Sequence, residues 1–116
     1  MPHEAAKYMF DIAEHVARLQ RFVSGKTFED YAADELLRAA VERQFEIIGE
    51  AINSLAKVDP DKARKITGYR RMIAFRNILI HGYTHVDDAI VWDIVESKLE
   101  ALALEIDELN QRLSEN

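Results

Sequence analysis

Arg76, Asn77, His81 and Tyr83 fall within eight positions, in the stretch FRNILIHGYTHVDD that runs from Phe75 to Asp88. An arginine never loses its charge in water, and its planar fork matches phosphate oxygens. A histidine titrates near neutrality and can accept or give up a proton. Together they supply the minimum for breaking an RNA phosphodiester without a metal. The histidine deprotonates the 2′-hydroxyl or protonates the leaving oxygen, and the arginine stabilises charge on the phosphorane-like transition state. Asn77 could hold the phosphate or orient the histidine. A metal reading is weaker. His81 and His85 have the i, i+4 spacing of helical ligands, but Gly82 stands between them, and with no cysteine in the chain no convincing ligand set forms. No cofactor is implied.

Spacing constrains how such a site is built. Arg76 and His81 are five apart, so on a regular helix they point about 140° from each other at about 100° per residue. Either the helix ends before His81, or each residue completes a site with groups from elsewhere. A twofold dimer offers the second solution, with two copies of the helix lining a common cleft.

The elements that must position these residues are helical. Tyr8, Ile12, Val16, Leu19 and Val23 mark an apolar face over roughly 3–23, and Ser24-Gly25 ends it. Thr27 is a candidate N-cap with Asp30 in the capping-box position. A long helical stretch follows to about Lys57, with room for an irregular turn near 31–34. Its apolar face (Leu37, Val41, Phe45, Ile47, Ile48, Ile52, Leu55) is wide, which predicts burial on two sides, in a bundle or at a subunit contact. Gly49 breaks the pattern: it costs about 1 kcal/mol in a helix interior relative to alanine, so it predicts a close helix–helix approach, for which a dimer axis is one candidate. Arg43, Glu46, Glu50, Asn53 and Lys57 form a polar stripe on the same helix, read chiefly as a solvated face with internal ion pairs. Asp59-Pro60 opens a connection with space for one helical turn. The next helix is expected over Tyr69–His81, stopped by Gly82 as a C′ residue. Asp87 or Asp88 caps the last helix, where Trp92, Val95, Leu99, Leu102, Ile106, Leu109 and Leu113 repeat at heptad spacing. No alternation supports a strand. The expected fold is all-α: one domain over 1–116, an up-and-down bundle of four to five helices.

The net charge of −6 argues against a polyanion partner only on average. Lys62, Arg64, Lys65, Arg70, Arg71 and Arg76 follow one another with no acidic residue between them, whereas nine acidic residues face two basic ones from Asp87 onward. A local basic block attracts a polyanion whatever the total. Lys65, Arg70 and Arg71 are therefore candidate RNA-binding residues. No run is apolar enough to span a bilayer and no signal-peptide core is present, so a soluble cytoplasmic protein is expected.

The stretch RNILIHGY resembles the R-N-x-x-x-H-x-Y motif of the HEPN superfamily, specifically the HepT-like toxins. AVERQFEIIGEA (40–51), FEDYAADELLRAAV and VDDAIVWDIV also fit that family, so the resemblance covers most of the chain. It implies a homodimeric helical bundle that acts as a metal-independent ribonuclease and pairs with a small nucleotidyltransferase antitoxin. Arg76 and His81 would be the catalytic pair, Asn77 the polar residue beside the arginine, and Tyr83 the tyrosine that the partner modifies with AMP; part of the stripe of Arg43, Glu46, Glu50, Asn53 and Lys57 would line the dimer cleft near Arg76. One departure is Gly68-Tyr69, where relatives usually carry a tryptophan or other bulky residue before the motif helix. Two other readings are a non-catalytic binding partner of the nucleotidyltransferase, and a plain structural bundle.

Overall fold

Local signals punctuate the chain before any packing is considered. In the computed structural model, which describes residues 2–82 and 86–115, α1 (Pro2–Val23) ends at a turn where Gly25 takes φ +73°, a left-handed conformation that glycine adopts at no steric cost. Thr27 then caps α2 (Phe28–Ala33) through the full capping box. The Thr27 backbone and side-chain hydrogen bonds to the Asp30 carboxylate hold that group below its ordinary range. Asp34 closes α2 and opens α3 (Glu35–Val58), where its carboxylate accepts the Leu37 N–H at 3.0 Å. The irregular turn expected near 31–34 is this one residue. Asp59 caps α4 (Pro60–Arg64), with proline in the first turn. Then come α5 (Tyr69–His81) and α6 (Asp88–Glu115). Four of these six helices are long; α2 and α4 are single short stretches between them.

The wide apolar face of α3 is explained inside the chain: α3 packs against α1 on one side and α5 on the other. Leu37, Val41, Phe45, Ile48, Ile52 and Leu55 are all buried. On α1 the buried stripe is Ala5, Met9, Ile12, Val16 and Leu19. Tyr8 and Val23 sit at its edge, half-buried. The stripe is rotated slightly from the expected one, because Tyr8 faces a polar groove and Met9 takes the core position. The α6 seam buries Trp92, Leu99, Leu102, Ile106 and Leu109 against α1 and α2, with Val95 half-buried and the Leu113 side chain outside the described residues; Asn110 Nδ2 donates to the Met9 carbonyl at 3.2 Å. Tyr31 is fully buried beside Trp92, ring centroids 5.2 Å apart. Desolvation, then the nearby Glu42 and Asp88 carboxylates, raise its hydroxyl pKa, against the opposing pull of Arg38.

The helix carrying the motif is seated at both ends. Before it, the Glu105 carboxylate of α6 accepts the Thr67 N–H at 2.8 Å and the Thr67 hydroxyl at 2.6 Å, and Gly68 at φ +73° starts the helix at Tyr69. In its middle, Phe75 meets Phe45 of α3 edge-on at 5.3 Å. At its end, Gly82 donates to the Ile78 carbonyl at 2.9 Å. Gly82 has φ −77° and ψ 122°, so it stops the helix where expected and leaves it in extended backbone. Among the described residues no helix is long and apolar enough to cross a membrane.

Candidate active site

The close approach that Gly49 announced is made by α5 of the same chain. A Cβ built on Gly49 would clash with Arg76 Cβ and lie 2.9 Å from Arg76 Cγ and 3.0 Å from the Met72 carbonyl oxygen. The dimer axis is not needed to explain this glycine. Its missing side chain leaves the seat in which the Arg76 stem lies across α3. From there the guanidinium donates to Asn77 Oδ1 at 2.6 Å and pairs with the Glu50 carboxylate. Asn77 is thus an orienting partner of the arginine.

Arg76 opens into a groove of about 440 Å³. The groove floor is the outer side of α3, with Arg43, Glu46 and Glu50; α1 adds Tyr8, Asp11 and His15; α5 adds Ile80. The polar stripe therefore divides. Arg43, Glu46 and Glu50 line the groove, with Arg43 and Glu46 paired at 3.4 Å, while Asn53 and Lys57 do not. Buried Gln44 accepts a hydrogen bond from His15 Nδ1 at 2.7 Å.

His81 is exposed at the last position of α5 and does not line this groove. The two motif residues point to different surroundings, as their five-residue offset requires. Tyr83 and His85 lie outside the described residues. Among the described residues no group of three or more His, Asp or Glu side chains could hold a metal ion.

The basic block is only partly available to a polyanion. Asp61 pairs with Arg64, and Asp59 with Lys62 at 3.8 Å. Lys65, Arg70 and Arg71 are exposed. The Arg70 guanidinium lies 5.4 Å from the Tyr69 ring centroid and its Nε donates to the Tyr69 hydroxyl at 3.0 Å. Arg71 borders a second groove with Thr67, Ser97 and Lys98, between the start of α5 and α6. If these cations hold RNA, charge removal at Arg70 and Arg71 together is expected to lessen the slope of log affinity against log salt by about 1.4, at about 0.7 per single-strand phosphate contact. Cleavage at saturating RNA should stay near wild type. A salt titration of binding checks this, and an unchanged slope would place the RNA elsewhere.

Residues 12–109 match the family model described as Ribonuclease HepT-like. The chain belongs to this HepT-like family. Among HepT-like relatives, a candidate RNase of Methanocaldococcus jannaschii is 31% identical over 88% of this chain and 84% of its own length. The probable ribonuclease HepT of Thermococcus cleftensis is 32% identical over 90% of this chain and 94% of its own. A candidate RNase of Caldanaerobacter subterraneus is 31% identical over 90% and 93%. No solved structure gives a significant match. Glu50, a member of the polar stripe, is the partner of Arg76; the groove also holds residues that sequence reasoning missed, Tyr8, Asp11 and His15, from a helix some sixty positions away in a chain of 116. The signal for one of them was present, in a glutamine set in the apolar face of α3.

Proposed function

We propose that this chain is the toxin of a HEPN–nucleotidyltransferase pair, a metal-independent endoribonuclease acting through Arg76 and His81. The observation that carries this reading is the seat of Arg76: a motif arginine laid over Gly49, oriented by Asn77 and presented to a groove. Substrate phosphate takes the guanidinium from Glu50, whose side chain is 54% exposed and is readily resolvated when displaced. A homodimer completes the site. Ile78 and Ile80 are exposed on α5 at 57% and 40%, next to the two motif residues, and a second copy set against them brings its own His81 towards the Arg76 groove. Purified protein should cleave RNA in EDTA; the non-catalytic binding reading requires that it does not.

Neutralisation is expected at Tyr83. An AMP group there adds a phosphate charge that can engage Arg76 and bulk that fills the cleft. Tyr83→Phe should fold normally, keep most of the ribonuclease activity and resist the partner nucleotidyltransferase. Intact-mass measurement after co-expression decides the point. An AMP-sized addition on the wild type, absent from Tyr83→Phe, supports the switch; neutralisation of both without added mass means the partner acts by occlusion.

A further inference from the structure

Among the described residues, the imidazole that shares the Arg76 groove is His15, not His81. His15 sits on α1, half-buried, at an edge of the stripe that meets α3. Opposite it, Gln44 is 6% exposed, the buried polar side chain in a face otherwise made of Val41, Phe45 and Ile48. A buried amide needs a partner, and His15 Nδ1 supplies one at 2.7 Å. With the amide oxygen facing it, Nδ1 is the donor, and in the neutral imidazole Nε2 then holds the lone pair. A histidine whose tautomer is fixed by a buried partner is the arrangement that presents a base of defined direction.

Cleavage of an RNA phosphodiester needs two proton transfers on opposite sides of phosphorus. One group takes the 2′-hydroxyl proton, and another protonates the departing 5′-oxygen. Arg76 and His81 supply one charge stabiliser and one proton carrier. Resting on the ribonuclease reading above, we propose that His15 is the general base of the site and Gln44 its positioning residue. His15 Nε2 takes the 2′-hydroxyl proton as the 2′-oxygen bonds to phosphorus. The phosphorus–5′-oxygen bond breaks, and the His81 imidazolium gives its proton to that oxygen. The products are a 2′,3′-cyclic phosphate and a 5′-hydroxyl, with charge on the phosphorane met by Arg76.

The other ionisable groups sharing the groove are Tyr8 and Asp11 on α1, Arg43, Glu46 and Glu50 on α3, and Arg76 on α5. The carboxylates could also shape an acid limb, so the test isolates the imidazole. His15→Gln keeps a side chain able to bond Gln44 but cannot titrate. It is assayed as the full chain beside the wild type and His81→Ala, on a ribodinucleotide and on a uridine 3′-aryl phosphate whose nitrophenolate needs no acid to leave. His15→Gln should fall about 10²- to 10⁴-fold on both substrates, lose the acid limb of its pH–rate profile, and melt near the wild-type temperature. His81→Ala should recover on the aryl substrate alone. Nitrogen-15 shifts of wild-type His15 should show the neutral Nδ1–H tautomer. A His15→Gln rate within about twofold of wild type, a lost rate with the acid limb unchanged, or an Nε2–H tautomer each overturns the assignment while the ribonuclease reading stands. A wild type inactive on both substrates overturns that reading and this one with it.

Discussion

Arg76→Ala is expected to lower RNA cleavage by about 10²- to 10³-fold, the loss that follows removal of one preorganised charge-stabilising donor, with little change in melting temperature. The split between activity and stability follows from the surroundings of the side chain. Its ion pair with Glu50 joins an arginine side chain that is 21% exposed to a glutamate side chain that is 54% exposed. A pair that open to water contributes about 0–1 kcal/mol at most, and Glu50 left alone is solvated. Arg76→Lys retains the charge and the stem over Gly49 but loses the fork shared between Asn77 and the phosphate, so it should recover little activity. His81→Ala should be equally inactive on RNA, for want of a proton carrier. Because His81 stands outside its own chain's Arg76 groove, the two inactive variants are also a test of where the site is completed. Mixed and allowed to exchange subunits, Arg76→Ala and His81→Ala should recover up to about a quarter of wild-type activity, since half the dimers then hold one intact site of two. No recovery, with exchange verified by light scattering of tagged subunits, would confine each Arg–His pair to a single chain. Wild-type activity in either variant alone would end the catalytic assignment.

The helices could be read from the sequence where the signal is local. Apolar spacing, Thr27 with Asp30, Asp59-Pro60 and the α6 heptads each depend on residues a few positions apart, and these elements stand where the pattern put them. The interruption at Asp34 was visible only as a region, because one residue with φ −116° and ψ 100° suffices to separate α2 from α3. Gly82 stops α5 where the sequence placed the stop, but the extended backbone in which the chain leaves the helix could not be read from the residue type. The motif residues were found by type and spacing. Their environment was not, because it depends on which helix lies beside which. Glu50 reads either as one more charge on a solvated stripe or as part of a cleft lining until α5, laid across α3, sets Arg76 against it. His15 reads as a surface histidine on α1 until Gln44 is seen buried beneath it. In both cases a local anomaly, a glycine or a glutamine in an apolar helix face, marked the place where a second helix would bring chemistry.

Gly49→Ala tests that lesson most directly, and is expected to lower cleavage by about 10²-fold, the order of loss caused by misplacing a reacting group by about 1 Å. In an isolated helix the substitution would stabilise by about 1 kcal/mol. Here the added Cβ runs into Arg76 Cβ, and also meets Arg76 Cγ at 2.9 Å and the Met72 carbonyl at 3.0 Å. Rotating the arginine moves its Cγ, but its Cβ is fixed by the backbone and the Met72 oxygen is backbone, so α5 must move away from α3 as a unit. Overpacking of this kind costs about 1–3 kcal/mol, which exceeds or cancels the helix gain, and the net fall in melting temperature should be a few degrees. Activity should fall further than stability because the displaced helix carries Arg76, Asn77 and His81 together. The origin of the effect can be isolated by a double-mutant cycle in which Arg76→Gly removes the opposing side chain. Gly49→Ala should then cost less stability in the Arg76→Gly background than in the wild type, with the remainder assigned to the Met72 carbonyl. Equal costs in both backgrounds would show that Arg76 is not what Gly49 makes room for. A fully active and fully stable Gly49→Ala protein would show that α5 has slack against α3, and that the arginine is placed by Glu50 and Asn77 alone.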